Sequence, residues 1–373
     1  MSGKAGSTVG YRHRVRLKKC FDINMFSNKS ANSAQAAEVP ARRRGGVGVV
    51  DVFCGAGGLS HGFLLEGFDV RAGVDVDPAC RYPFECNNQA IFLERDVGDL
   101  SGVTVDRLFA EGERRILVGC APCQPFSTYN HSRTNGKWRL LREFGRLVRE
   151  VEPDVVSMEN VARLTKFREG ELFADFLGVL ADVGYEHVWY DIVDCSEFGV
   201  PQTRRRLVVL ASRIGPIRLR WPTDPQQGRI SVRTAIGHLP TICAGGQDEA
   251  DPLHRASRLS PTNLARIRAS KPGMSWREWD PDLVAPCHKK PSGRWYGSVY
   301  GRMSWDELAP TITTQCTGFG NGRYGHPEQD RAISLREAAL LQTFPARYEF
   351  FEPERPWSIS TTARLIGNAV PVA

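Results

Sequence analysis

Short apolar runs alternate with amphipathic segments from residue 47 to about residue 212, and the two periodicities assign most elements. Gly48-Val-Val-Asp-Val-Phe53 is a compact β run that stops at Cys54-Gly-Ala-Gly-Gly58, and helical character follows from Ser60 to Glu66. Asp69-Val-Arg-Ala-Gly-Val74 predicts a second strand ending in Asp75-Val-Asp77, and Pro78 takes the favoured first position of a helix reaching Asn87. A short apolar segment precedes Asp96, and Ile116-Leu-Val118 is a buried strand that Gly119 breaks. Leu140 to Val151 reads as a helix, and Asp154-Val-Val-Ser-Met158 as a strand that delivers Glu159-Asn-Val161 to the sheet's rim, with Glu159 at the strand's end. Leu172, Phe173, Phe176, Leu177 and Leu180 recur at helical spacing and predict a core-facing helix. Glu186 to Asp194 and Leu207-Val-Val-Leu-Ala211 are the last strands of this half. This alternation predicts an α/β fold built on one Rossmann-like, mostly parallel sheet with helices on both faces.

Beyond residue 212 the periodicity fades and Pro, Gly, Trp and Arg rise. Lys271-Pro-Gly-Met-Ser-Trp-Arg-Glu-Trp279 and Lys289-Lys-Pro-Ser-Gly-Arg-Trp-Tyr296 mix cations with aromatics, which suits phosphate contacts combined with base or sugar stacking. The same Trp residues also suit the small core of an irregular surface domain. Pro310-Thr-Ile-Thr-Thr314 resembles a short β run, and Ser334 with Glu337 three residues later predicts a capped helix.

Charge sharpens this division. The chain carries a net +7, but residues 1–46 hold ten Lys/Arg against two Asp/Glu, residues 213–305 hold fifteen against seven, and the remainder is acidic by nine charges. Such asymmetry is expected where one region meets a polyanion, while the Gly-, Ser- and Asn-rich start reads as a disordered basic tail. No apolar run nears the roughly 20 residues of a membrane span. The ten cysteines follow no framework spacing and suit a reducing compartment.

The chemistry concentrates in Gly119-Cys-Ala-Pro-Cys-Gln-Pro-Phe-Ser127, a loop expected at a strand's carboxyl end, where open α/β sheets bind ligands. Pro122 and Pro125 restrict the backbone around Cys123, so a potential thiolate nucleophile is held in place. Cys120 and Cys123 could instead be a redox pair or half a zinc site, but the sequence holds no second Cys-x-x-Cys and no spaced His pair, so no metal is expected. The glycine loop at 54–58 followed by an acidic residue at the next strand end, Asp75, predicts an adenosine-type cofactor. Glu159 falls on the edge that should also carry Cys123.

Six segments together resemble the cytosine carbon-5 DNA methyltransferases of bacterial or phage modification type, in the family's order. They are Asp51-Val-Phe-Cys-Gly-Ala-Gly-Gly58, Gly119–Ser127, Glu159-Asn-Val161, Pro201-Gln-Thr-Arg-Arg-Arg206, Leu335-Arg-Glu-Ala-Ala-Leu-Leu-Gln-Thr-Phe-Pro345 and Gly367-Asn-Ala-Val-Pro371. The resemblance implies the S-adenosylmethionine-dependent methyltransferase fold, with a catalytic domain at 47–212 completed by about 356–373. It further implies a target-recognition region and small domain at 213–355. Transfer of methyl from S-adenosylmethionine to carbon 5 of a flipped cytosine in a specific duplex sequence is the activity implied, through a covalent Cys123 adduct. Glu159 would act at ring nitrogen 3, Arg206 at the base's carbonyl oxygen and on the thiol, and Arg204 at a backbone phosphate. Phe53, Gly55, Gly57, Gly58, Asp75, Asp96, Pro122, Asn368 and Val370 would hold the cofactor. Gln124, Ser127 and Thr313 would meet the DNA. A monomer in the bacterial cytoplasm or nucleoid, with a separately acting restriction endonuclease, completes the expectation.

Two departures accompany the resemblance. Val76 stands where a larger side chain is often found against the adenine, and the sequence stops at Ala373 where the family continues with a helix. The second raises the expectation of a loosened cofactor site. Two alternatives stand beside the main reading: a transfer-RNA cytosine-5 methyltransferase, with the same chemistry on another substrate, and, because of the short C-terminus, a catalytically impaired DNA-binding homologue.

Overall fold

The computed structural model describes residues 46–122, 138–224 and 229–373. Seven strands form one sheet: β1 (Val47–Val52), β2 (Asp69–Asp75), β3 (Ile91–Glu94), β4 (Arg114–Gly119), β5 (Val155–Val161), β6 (His187–Asp194) and β7 (Arg205–Ser212). Their spatial order is β3-β2-β1-β4-β5-β7-β6. The five strands from β3 to β5 are parallel, and β7 runs antiparallel between β5 and β6. The expectation of a mostly parallel sheet holds, with this one antiparallel strand breaking the strict β-α-β alternation.

Helices α1 (Gly58–Leu65), α2 (Arg81–Asn88), α3 (Gly102–Asp106), α4 (Arg139–Val151) and α5 (Glu171–Asp182) belong to this half. The later region carries α6 (Val232–Ile236), α7 (Pro261–Ala269), α8 (Pro286–Lys289), α9 (Leu335–Leu341) and α10 (Ile359–Asn368). Pro78 does open the segment after β2, but as one turn of 3-10 helix capped by Asp77, with α2 beginning at Arg81. The Pro310–Thr314 run is not a strand. It is tied down by side chains instead, Gln202 Oε1 accepting the Ile312 N–H at 3.2 Å and the Thr311 hydroxyl donating to the Thr203 carbonyl.

Central strands bury both faces, which is why β1, apart from Asp51, and β4, after Arg115, read as apolar runs. Successive residues serve opposite sides, with Val49, Ile116 and Val118 in one core cluster and Val50, Val52 and Leu117 in the other. The second cluster is closed by Phe144 and Leu147 of α4 and Phe176 and Leu180 of α5. The first runs on through Leu335 and Leu341 of α9, Phe344, Tyr348 and Ile366 of α10. Late sequence thus packs onto the first strand and helix, and Tyr348 donates its hydroxyl to the Ala56 carbonyl. A third, smaller cluster joins Ile267, Trp276, Trp279 and Phe319.

Helix α9 has the predicted capping box, Ser334 accepting from the Glu337 N–H at 3.1 Å and Glu337 accepting from the Ser334 N–H at 2.6 Å. The fully buried Arg331 grips both Glu337 oxygens at 2.7 Å, so the cap is also one end of a buried ion pair.

Candidate active site

A cavity of about 440 Å³ opens at the carboxyl ends of β1, β2 and β4. That volume is in the range of small-ligand and cofactor sites. The turn after β1 makes room for it: Phe53 and Gly55 both take left-handed backbone angles, φ 64° and 53°, the first uncommon for a bulky residue. Asp75 staples the turn, its Oδ2 accepting the Gly55 N–H at 2.9 Å and its Oδ1 the Asp77 N–H at 3.0 Å. Burial raises the Asp75 pKa above its usual range. Asp96 closes the far side, where its Oδ1 caps a short turn by accepting the Gly98 N–H at 2.8 Å.

Of the nine sequence-predicted cofactor residues, Phe53, Gly55, Asp75, Asp96, Pro122, Asn368 and Val370 line this cavity. Gly57 and Gly58 lie behind it. A Cβ on Gly57, where φ is 89°, would come 2.4 Å from Asn88 Nδ2, and one on Gly58 would come 2.3 Å from the Val370 carbonyl oxygen. These glycines let α1 approach its neighbours and so set the position of Val370. Val76 is 64% exposed at the cavity's rim, a small side chain covering little of it.

Asp51 was not singled out in the sequence, yet it lines the cavity and is completely buried. Its Oδ2 accepts the Ser60 hydroxyl at 2.7 Å, while Oδ1 is buried with no hydrogen-bond partner. Burial pushes its pKa up to about 7. A carboxylate in the lining of a cavity also walled by Phe53, Leu59 and Pro122, with one oxygen unpartnered, fits a ligand with an apolar ring and a cationic group. S-adenosylmethionine, with its adenine, sulfonium and ammonium, has that chemistry. The signal available was a carboxylate in the middle of an otherwise apolar central strand.

Beside the cavity, Glu159 sits within β5 and not at its end, because β5 keeps pairing with β7 after its pairing with β4 ends at Met158. Glu159 is buried, and its Oε2 accepts from the Cys120 thiol at 2.9 Å. Arg206 Nε lies 3.0 Å from Oε1 and Arg204 Nη2 lies 3.9 Å from it, ion-pair contacts that leave Oε1 without a hydrogen-bond donor. Arg204 is 4% exposed, donates from Nη2 to the Ala369 carbonyl at 3.3 Å, and has Nε and Nη1 buried without partners. Burial, then the adjacent Arg206, holds its pKa below the usual range. Arg205, between them, points to the exposed face.

Cys123, Gln124 and Ser127 lie outside the described residues, and Pro122 at the cavity wall is the last residue described before them. Thr313 is brought next to α10, where Gly367 is packed against its carbonyl, and its hydroxyl is 3.0 Å from that of Tyr324. Cys120 and Arg364 were also not anticipated as site residues; both line the cavity, and Arg364 pairs with Asp77. No sequence signal marks Arg364, which reaches the rim only because α10 packs there.

The later region carries a second, shallower cavity of about 950 Å³. Trp276 and His288 stack at 4.4 Å in its wall, Arg277, Lys289 and Arg294 border it, and Trp295 beside them is 87% exposed.

Residues 47–373 match the family model for C-5 cytosine-specific DNA methylase. The chain is 54% identical over 326 residues to the Type II methylase M.HgiDII of Herpetosiphon aurantiacus, covering 87% of this chain and 92% of that one. It is 29% identical to the Type II methyltransferase M.XorII of Xanthomonas oryzae, covering 86% and 81%. Among solved structures, a protein assigned as a DNA modification methyltransferase, encoded within a prophage of E. coli, superposes with a TM-score of 0.65 at 20% identity, covering 87% of this chain and 95% of that one.

Proposed function

The chain belongs to the C-5 cytosine-specific DNA methylases, transferring a methyl group from S-adenosylmethionine to carbon 5 of cytosine in double-stranded DNA, and we propose that it does so through a covalent adduct to Cys123. The observation that carries this reading is the buried Glu159. It stands between Arg206 and the strand end that leads to Cys123, beside a cavity suited to the cofactor.

Carbon 5 of cytosine is too weak a nucleophile unaided, so Cys123 adds to carbon 6 and shifts an electron pair toward carbon 5 and the ring. Negative charge then grows at ring nitrogen 3 and the carbonyl oxygen, where preorganised donors stabilise it most. Glu159 takes the first position, sharing or giving a proton, and Arg206 the second. The two unpartnered nitrogens of Arg204 suit a further acceptor, which a phosphate beside the target nucleotide would supply. When bound, S-adenosylmethionine supplies a methyl group on a cationic sulfonium. In this cavity Asp75 would hold the ribose, Asp96 the adenine amino group, Phe53 the adenine face, and Asn368 and Val370 the methionine end. Asp51 would offer its carboxylate to a cationic group of the ligand. Loss of the carbon 5 proton and β-elimination then frees Cys123. Because carbon 6 and carbon 5 must be approached from opposite ring faces, the cytosine is flipped out of the duplex.

Residues 213–355 serve as target-recognition region and small domain, on residues 47–212 completed by 356–373. Their cation-and-aromatic cavity supports that division of labour. The similarity to a Type II methylase supports a restriction-modification setting; in this reading the endonuclease is a separate protein and the enzyme acts as a monomer in the bacterial cytoplasm.

The test is trapping. Duplex DNA carrying 5-fluorocytosine in varied contexts is incubated with the protein and S-adenosylmethionine. Fluorine at carbon 5 does not leave as a proton does, so the adduct persists. A denaturation-resistant complex that disappears in Cys123→Ser is expected, and the trapped DNA gives the target sequence. Binding of DNA without an adduct in any context would sink the mechanism, and trapping of transfer RNA in place of duplex DNA would redirect the substrate.

A further inference from the structure

We propose that Cys120 is a positioning residue for the reaction, its thiol orienting the Glu159 carboxyl toward the base. The inference rests on the reading that Glu159 acts on the cytosine. Strands β4 and β5 are paired in parallel with Gly119 opposite Met158, so the next residues, Cys120 just past the end of β4 and Glu159 within β5, lie side by side. The Cys120 thiol crosses that gap and donates to Glu159 Oε2 at 2.9 Å. It acts as donor because Glu159, facing Arg206 at 3.0 Å, offers lone pairs.

The backbone that carries the thiol is fixed as well. Asn160 Nδ2 donates to the Ala121 carbonyl at 3.1 Å, tying the residue after Cys120 to the residue after Glu159. A carboxyl held only by its ion pair to Arg206 can turn about its last side-chain bond. With the thiol on Oε2, the group is fixed at both oxygens, and Oε1, buried without a hydrogen-bond donor, is the oxygen left for the substrate. Cys120 also lines the cofactor cavity, so it stands between the methyl donor's site and the acid. A serine hydroxyl could make the same donation, whereas alanine or valine could not.

The experiment uses the full-length protein and the 5-fluorocytosine duplex, reading the single-turnover trapping rate and the KM for S-adenosylmethionine. Cys120→Ala is expected to slow trapping by roughly tenfold or more, the effect of losing one hydrogen bond to a charged group, with KM within about twofold of the parent. Cys120→Ser is expected to restore trapping to within about threefold, the signature of a donor and not of packing alone. Wild-type trapping by Cys120→Ala overturns the proposal. So does equal impairment of the serine and alanine variants, and so does a loss confined to KM, which would make Cys120 a wall of the cofactor cavity only. Should the alanine variant not fold, Cys120→Val against Cys120→Ser makes the same comparison with a better-filled site. Glu159→Gln and Cys123→Ser are run in parallel. Unchanged trapping in either defeats the underlying mechanism, whatever Cys120 does.

Discussion

Asp51 shows how much one buried side chain can encode. Its carboxyl is fully buried, satisfied by Ser60 on one oxygen and by nothing on the other, and burial pushes its pKa up to about 7. The sign of its effect on stability follows from proton uptake. The unfolded chain releases the Asp51 proton near pH about 4, while the folded protein keeps it to about 7. Its contribution to the free protein is therefore fully present below pH about 4 and is lost as pH rises toward about 7, at up to about 1.4 kcal/mol per pH unit. Cofactor binding should run the other way. A ligand with cationic groups prefers the ionised carboxylate, so S-adenosylmethionine affinity is expected to strengthen as pH rises through about 7. Calorimetric titration between mildly acid and mildly alkaline pH checks this. In Asp51→Asn the part of the pH dependence centred at pH about 7 should be lost, and affinity above that pH should drop by roughly tenfold. Retention of the parent's pH profile in that variant would remove Asp51 from the cofactor site.

At the level of elements, apolar runs revealed all seven strands and four of the five helices among them, α3 being the one missed; the central strands were plainest, because burial on both faces leaves a stretch of valine and leucine. Strand direction was not legible: Leu207–Ala211 reads the same whether β7 runs with β5 or against it, and only the hairpin from β6 decides. Nor did the sequence show that β5 extends through Glu159, since the extension depends on that antiparallel neighbour. Asp75, Asp96 and Asn368, which line the cavity, were legible because motifs end at strand or helix ends, whereas Cys120 and Asp51 acquire meaning only when separate strands meet. Glycine substitutions test the packing directly. In α10 a Cβ on Gly367 would lie 2.2 Å from the Thr313 carbonyl carbon and 2.3 Å from the Thr314 nitrogen, backbone that has little freedom to move. Gly367→Ala is expected to destabilise the protein by about 1–3 kcal/mol. In α5 nothing lies within 4 Å of a Cβ on Gly178, so Gly178→Ala is expected to stabilise by roughly 0.5–1 kcal/mol. Opposite shifts in thermal denaturation midpoint check the pair, and like shifts would contradict the close packing of α10.

For the molecule as a whole, charge and aromatic exposure are distributed as a DNA-reading protein requires. The overall excess of +7 is modest, but residues 213–305 carry a surplus of eight positive charges against an acidic remainder. Many cations of the later region are spent internally: Arg233 pairs with Asp306, Arg268 and Arg302 with Asp330, and Arg331 with Glu337. Lys289 and Arg294 border the second cavity with no carboxylate in its lining, beside a Trp295 that folding leaves almost wholly in solvent. An indole is costly to leave in water unless a partner covers it, and a nucleobase or sugar is the apolar surface DNA offers. Two kinds of contact then separate experimentally. Neutralising Lys289 or Arg294 to Gln should flatten the logarithmic salt dependence of DNA binding by about one unit for each phosphate deprived of its cation. Trp295→Ala should weaken binding by about 1–3 kcal/mol at fixed salt while leaving that slope in place, because stacking releases no counterions. Fluorescence anisotropy with the trapped target sequence, across a salt series, measures both. A Trp295→Ala variant that binds like the parent would leave the exposed indole without a role in DNA recognition. A change of slope in that variant would show that Trp295 acts by placing the neighbouring cations and not by stacking.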